Sequence, residues 1–522
     1  MPTHDARTSL RDAVRLSLFF AAIKLLVQIA GNIAAQHAGY GIFRDELYYI
    51  VCGRHLQFGY VDQPPMVALQ ARLADGLFGH GNLALLRIFA GLAGAAKVFL
   101  TGMLTWALGG RRVAQALAML GVLCAAIYLG IDAFLSMNSF EPVFWMLCVL
   151  AVIRIVQGAD PALWWTVFGV SAGLGLENKH SEIFFLIALL VGIALSPQRR
   201  ILLSRWVAVS VAIIALLGLP NLLWQIHYHF PTLQWLLNVA HSGKDVKLSP
   251  PEFLFAQFAF LNPLNIFLWG TGLVWLLVSK RARDYRFIGL TYLILLVLMM
   301  ALHGKDYYLS PIYPVLFAAG GCAWEWTPAA SPEKKITGLI LASLIVMTTI
   351  FFFPMSVPVL SPPRFVTYMR VTHLRTTEPE EDKPGLLPQF YADMIGWQQM
   401  ADAIAAAYNS LPAQDRARAG IFCGNYGEAG AVDVLARQYG IPNAISGHQT
   451  YWFWGPHGYT GDVMVIASEA TLDQVREVFS SAEIAAHLEN IYSIPYEHIN
   501  IYIARGRKKA YQQNWNDVKV WR

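Results

Sequence analysis

The side chains able to do chemistry in this chain are confined to a few short polar stretches between long apolar ones. Arg44-Asp45-Glu46-Leu47-Tyr48-Tyr49 and Asp62-Gln63-Pro64-Pro65 share the loop 36–82. Asp132 and Asn138-Ser139-Phe140-Glu141-Pro142 fall in a second loop, and Glu177-Asn178-Lys179-His180 in a third. His303-Gly304-Lys305-Asp306-Tyr307-Tyr308 follows later, just ahead of Pro311 and Pro314. A carboxylate can take a proton or hold a divalent cation. A lysine ammonium or a tyrosine hydroxyl can hold phosphate oxygens. This mixture suits the departure of a negatively charged, lipid-borne phosphate. Each stretch alone also has a plainer account. Asp45 and Glu46 would cap a helix, and Glu141 before Pro142 would open one. Lys179 with His180, or Lys305 with Tyr308, would anchor at a membrane interface. Recurrence on one side of a membrane is what argues for chemistry, so the apolar segments decide.

Of the 522 residues, 56% are hydrophobic and only 14% charged, against roughly 25% charged in an ordinary soluble chain. A disordered chain, a coiled coil and a typical cytosolic enzyme are excluded. A membrane span needs about 20 mostly apolar residues. Such runs are predicted at 16–35, 83–108, 113–130, 139–156, 163–176, 183–195, 201–224, 263–279, 287–302, 311–326 and 336–353, eleven in all. Basic clusters sit at alternate ends: Arg7, Arg11 and Arg15; Arg111 and Arg112; Arg154; Arg199, Arg200 and Arg205; Lys280, Arg281, Arg283 and Arg286; Lys334 and Lys335. The positive-inside rule then puts the N-terminus in the cytoplasm, and an odd number of spans puts the C-terminus outside. All the polar stretches fall on the outer side, where a bundle is expected to gather them into a cavity. The loop 36–82 should lay amphipathic helices in the interface. The first apolar run lacks a small-residue cleavage site and is expected to stay as a span.

The composition changes at 358. Residues 358–522 hold 31 charges in 165 positions, against 42 in the preceding 357. Apolar runs at 420–423, 462–468 and 499–504 read as strands, and 429–439 and 472–479 as helices, giving a small soluble α/β domain. The predicted fold class is therefore mainly α: a polytopic helical bundle over 1–357 with a C-terminal α/β domain over 358–522. Five cysteines are too few for a disulfide framework. Cys124, Cys148 and Cys322 lie in apolar runs, whereas Cys52 and Cys423 fall in polar stretches and could pair in an oxidising compartment. The net charge of +5 is dispersed, which argues against a nucleic-acid partner. His227, His229 and His241 lack the spacing of a helical zinc motif. The glycine-containing junction 423–430 reads as turn chemistry, and the aromatic run 446–455 as a surface that stacks on sugars or sits in the interface.

Taken in order and sidedness, Arg44-Asp45-Glu46-Leu47-Tyr48-Tyr49, Asp62-Gln63-Pro64-Pro65, Glu141-Pro142, Lys179 and Lys305-x-x-Tyr308-x-x-Pro311 resemble the integral-membrane GT-C glycosyltransferases. Within that group they are similar to the dolichyl-phosphate-mannose protein mannosyltransferases and the lipid A aminoarabinose transferases. The resemblance implies inverting transfer of a sugar from a polyprenyl-phosphate carrier to a lipid, glycan or protein acceptor, at the outer face of a bacterial inner membrane. It implies Asp45 as general base or acceptor-orienting group, with Glu46 as the alternate. It places Asp62 near the carrier phosphate, Glu141 as the second-loop acidic residue, and Lys305 and Tyr308 on the phosphate side. Arg44, Tyr48, Gln63, Lys179 and His180 complete the candidate substrate-binding set. If a divalent metal ion serves as cofactor, Asp62 and Glu141 are its candidate ligands. One departure stands out: a lysine often precedes the paired prolines in the aminoarabinose branch, and Gln63 occupies that place here. Phosphate neutralisation then falls to Lys305, Lys179, Arg44 or a metal, and a lysine restored at 63 is expected to be tolerated. The rival class is a transporter or lipid flippase. It would need midplane ionisable residues and discontinuous spans. No repeat is visible, the ionisable set crowds the outer ends, and the spans between are nearly clean apart from Lys24, Arg87 and Lys97.

Overall fold

The computed structural model describes residues 8–242, 247–326, 332–374 and 385–522. Arg7 and the side chains of Lys334 and Lys335 lie outside the described residues. Each apolar run becomes helical: Leu10–His37, Ile88–Ala107, Arg112–Leu123 continued by Ala126–Ile131, Met137–Val156, Pro161–Asn178, Glu182–Ala194, Trp206–His227, Ile266–Val278, Arg286–Ala301, Tyr313–Trp326 and Pro332–Ser356. Among the described residues, six helices are long and apolar enough to cross a membrane by length and composition, or up to seven if a bent pair counts as one span. That pair, Pro250–Phe260 and Pro263–Val278, turns through 98°. The turn has a local cause. Asn262 takes a positive φ of 69° and Pro263 has no N–H to continue the ladder.

The chain divides into two compact units. The first comprises Met1–Ile33, Arg87–Leu223 and Lys247–Val357. It is a helical body whose core runs through Trp145, Trp165, Phe185, Tyr292 and Tyr313. Small residues let its helices approach closely. A Cβ on Gly272 would lie 2.2 Å from the Leu316 carbonyl oxygen, and one on Gly321 would lie 2.3 Å from that of Ala114. Helices buried in lipid associate through such small-residue contacts. Lys24, Arg87 and Lys97 are all buried. Lys24 and Lys97 share Asp132, at 3.0 and 2.9 Å, and Arg87 donates to Asn32 Oδ1 at 3.1 Å.

The second unit comprises Ala34–Leu86, Trp224–Val246 and Pro358–Arg522. It contains a five-stranded sheet in the order β2-β1-β3-β5-β4, built from β1 (Gly420–Cys423), β2 (Ala444–Ile445), β3 (Val463–Ser468), β4 (Phe479–His487) and β5 (Asn500–Arg507). β1 runs parallel to β2 and β3, and β5 runs antiparallel to β3 and β4. The predicted strands match β1, β3 and β5, and the predicted helices match Tyr426–Leu435 and Leu472–Val478. β4 lacks a sequence signal because it is an edge strand with mostly exposed residues and no apolar alternation. The loop 36–82 joins this unit because the helix Arg44–Arg54 packs on Tyr426–Leu435, where glycines leave room. A Cβ on Gly427 would lie 2.6 Å from Arg44 Cγ, and one on Gly430 would lie 2.9 Å from Leu47 Cβ. All five cysteines are free and buried, Cys52 and Cys423 included. The aromatic run is packed rather than free-standing: Trp452 and Phe453 meet Trp521 at 5.4 and 5.3 Å.

Candidate active site

In the second unit, Arg44, Asp45 and Glu46 open one helix, yet their side chains differ in exposure and in partners. Glu46 is buried and its carboxylate accepts the Phe43 N–H at 2.9 Å. It satisfies one of the N–H groups that every helix start leaves unpaired, which is a capping role. Asp45 is one-third exposed, at 32%, and accepts a hydrogen bond from the Tyr426 hydroxyl at 2.7 Å. Arg44 lies 3.7 Å from Asp45 and 3.9 Å from Asp393, with its guanidinium 5.5 Å from the ring centroids of both Tyr426 and Tyr496.

The Tyr48 hydroxyl lies 2.9 Å from Asp62 Oδ1 and 2.6 Å from Thr450 Oγ1. Burial and the Asp62 charge push its pKa well above the ordinary tyrosine value. Tyr48 therefore acts as a neutral hydroxyl that fixes Asp62. Gln63 is buried, its amide nitrogen 3.7 Å from Cys52 Sγ. This revises the expectation for that position. A lysine there would place an unpaired ammonium among buried groups, at a cost of several kcal/mol. Gln63→Lys is expected to lower the thermal midpoint of the purified protein clearly; an unchanged midpoint would show that the side chain reaches water.

In the first unit, three of the sequence stretches meet. Glu141, in the first turns of Met137–Val156, receives Lys179 Nζ at 2.9 Å and a short hydrogen bond from the Ser181 hydroxyl. Lys179 also donates to Asn138 Oδ1 at 2.9 Å. Its ammonium lies 4.5 Å from the Tyr308 ring centroid and 5.6 Å from that of Tyr307. An ammonium over an aromatic face gains most when shielded from water, and Lys179 is only 12% exposed. Lys305 is half-buried at the start of the 3-10 turn Asp306–Ile312, and its carbonyl accepts the Tyr308 N–H at 3.0 Å. His180 does not join this group. Its ring nitrogen lies 3.3 Å from Asn221 Oδ1, and burial lowers its pKa, favouring the neutral imidazole.

The side chains that sequence reasoning left without a role are Tyr426, Thr450, Asn138 and Ser181. Asn138 and Ser181 neighbour residues already singled out, whereas Tyr426 and Thr450 lie about 400 positions from Asp45 and Tyr48, in stretches that read as turn chemistry and as an aromatic surface. As metal ligands, Asp62 and Glu141 do not fit well: the first is held by Tyr48, and the second has its charge balanced by Lys179. Among the described residues no group of three or more His, Cys, Asp or Glu side chains could hold a metal ion.

Residues 62–224 match the family described as dolichyl-phosphate-mannose-protein mannosyltransferase. The lipid A galacturonosyltransferase RgtD of Rhizobium johnstonii is 26% identical over 251 residues, covering 46% of this chain and 51% of that protein. The chain thus spans about half the length of the curated relative it matches. ArnT from Cupriavidus metallidurans, solved with undecaprenyl phosphate, superposes with a TM-score of 0.61 at 15% identity, covering 93% of this chain and 97% of that one. The archaeal oligosaccharyltransferase AglB from Archaeoglobus fulgidus, solved with an inhibitory peptide and a dolichol-phosphate, gives 0.52 at 10% identity, covering 80% and 63%. The architecture is the ArnT-like GT-C fold, and the chain is an integral membrane protein.

Proposed function

We propose that the protein transfers a sugar from a polyprenyl-phosphate carrier to a lipid, glycan or protein acceptor, with inversion, at the outer face of a bacterial inner membrane. The observation that carries this reading is the Glu141–Lys179–Tyr308 group within a GT-C fold: a shielded ammonium held by a carboxylate under an aromatic face suits a phosphate. The acceptor hydroxyl oxygen would attack the anomeric carbon as the bond to the carrier phosphate oxygen breaks. The hydroxyl proton would pass to Asp45, and the carrier would leave as polyprenyl phosphate. Arg44 and Tyr426 would hold the Asp45 carboxylate in place, while Lys305, Lys179 and Tyr308 would meet the charge that develops on the leaving phosphate. Glu46 would serve the helix rather than the reaction.

The direct test is turnover of a polyprenyl-phosphate sugar by the purified chain, together with lipid analysis of a deletion strain, where the charged carrier should accumulate. Lys305→Met is expected to lower turnover strongly with little change in stability. Lys179→Met should lower both, because Glu141 would be left without its partner. Full activity in Lys305→Met would move the phosphate role to Lys179 or Arg44. Orientation has its own test. Basic clusters on alternate loops support a cytoplasmic N-terminus, so an export-dependent reporter fused after Phe353 should be active.

A further inference from the structure

The Tyr426 hydroxyl that meets Asp45 stands at a helix start, and two glutamates with no part in the transfer chemistry hold that start in place. Asn425 caps the helix Tyr426–Leu435 and uses every hydrogen-bonding position of its amide. Its Oδ1 accepts the N–H groups of Gly427 and Glu428 at 2.8 and 3.0 Å. Its Nδ2 donates to Glu428 Oε1 and to Glu497 Oε1, both at 3.0 Å. Tyr426, the next residue, donates its hydroxyl to Asp45 at 2.7 Å. On the reading that Asp45 is the base of transfer, we propose that Glu497 is a positioning residue for it, acting through Asn425, Tyr426 and Arg44 by keeping a proton against Glu428.

Two buried carboxylates that share one amide repel each other when both are charged. Glu428 and Glu497 are 1% and 6% exposed, and burial pushes both carboxyls up, that of Glu497 to about 8. The donors around them decide which one keeps the proton. Glu428 Oε2 accepts the N–H groups of Gly424 and Asn425 at 2.7 and 3.3 Å, and its Oε1 accepts from the Asn425 amide. Three donors favour the ionised form. Glu497 accepts from the Asn425 amide through Oε1, and its Oε2 has no hydrogen-bond partner among the described residues. A bare ionised oxygen costs far more to bury than a bare hydroxyl, so the proton belongs on Glu497. Among the neighbouring charges, Arg44 favours its loss, whereas Asp393 and Glu469 oppose it. The buried Cys423 thiol beside the pair is pushed well up and stays neutral.

Arg44 links this proton to the site. It lies 3.7 Å from Asp45 and 3.9 Å from Asp393, with its guanidinium 5.5 Å from the Tyr426 and Tyr496 rings. A neutral Glu497 leaves that positive charge to Asp45 and Asp393. An ionised Glu497 competes for it and repels Glu428, which loosens the cap that seats Tyr426. The other titratable ring against Tyr426 is His448, which stacks on it at 4.9 Å and accepts its N–H at 3.2 Å.

The test compares turnover of a polyprenyl-phosphate sugar, and thermal unfolding, across pH in the full chain in detergent. Wild-type kcat is expected to fall about tenfold between about pH 7 and 9 as Glu497 ionises. Glu497→Gln keeps the acceptor for Asn425 and cannot ionise, so this alkaline fall should disappear. Glu497→Leu removes the acceptor and should lower kcat at every pH. The thermal readout needs no donor. A carboxyl raised by folding costs stability progressively as pH climbs from the ordinary glutamate value to the folded one, here about 8. The wild-type midpoint should therefore fall over that window relative to Glu497→Gln. The same alkaline fall of kcat in wild type and Glu497→Gln, or parallel thermal curves for the two, would overturn the proposal. An absence of wild-type turnover at every pH would count against the transfer reading itself, and the thermal comparison then decides whether Glu497 holds the proton.

Discussion

Asp132→Ala is expected to destabilise the protein by about 3–5 kcal/mol, the range for stripping one partner from a buried ion pair. Asp132 is fully buried and lies 3.0 Å from Lys24 Nζ and 2.9 Å from Lys97 Nζ. Lys24 also donates to the Tyr128 carbonyl at 2.7 Å, and Lys97 stands 4.4 Å from the centroid of the Tyr128 ring. Removing the carboxylate leaves two buried ammonium groups without their anion. The space is filled as well: a Cβ on Gly94 would lie 2.5 Å from Asp132 Oδ2. Thermal unfolding in detergent is the measurement, and a wild-type midpoint in Asp132→Ala would show that the cluster is not holding these helices. The informative companion is the triple variant Lys24→Met, Lys97→Met, Asp132→Leu. Replacing a whole buried ionic group by apolar residues is often neutral or stabilising, so it should recover most of the loss.

Asp45→Asn is expected to slow turnover by about 10²–10⁴-fold, the usual contribution of a positioned general base, with stability and expression near normal. The side chain is one-third exposed and its hydrogen-bond partner, the Tyr426 hydroxyl, would be kept by an amide oxygen. Glu46→Gln should behave in the opposite way. Loss of a charged cap at the Arg44–Arg54 helix costs about 1 kcal/mol, with turnover affected only as far as that helix frays. Near-normal turnover in Asp45→Asn would remove that carboxylate from the chemistry. Equal rate losses in both variants would mean that the helix start as a whole, rather than one carboxylate, is what matters.

The helical character of each apolar run and the change of composition at 358 were set by the sequence alone. Transfer from water to lipid adds up residue by residue along a run, so 20 apolar positions declare a helix whatever surrounds them. Strands β1, β3 and β5 were legible for the same reason, as apolar runs between turns, and the ordered motifs around Asp45, Glu141, Lys179 and Tyr308 were enough to point to the GT-C fold. What a polar side chain does was not legible. Asp45 and Glu46 are neighbours with the same carboxylate, yet one meets Tyr426 and the other caps its own helix. Gln63 looked like a loop residue and is buried against Cys52. Lys24 and Lys97 looked like lone interruptions and share Asp132, more than 30 positions beyond either of them. The loop 36–82 looked like a membrane-side connection and packs with residues near 430. In each case the outcome rests on burial and on which groups come within reach, most of them distant in the chain. Electrostatic and hydrogen-bond energies depend on distance and on exclusion of water, and only the tertiary structure brings those groups together.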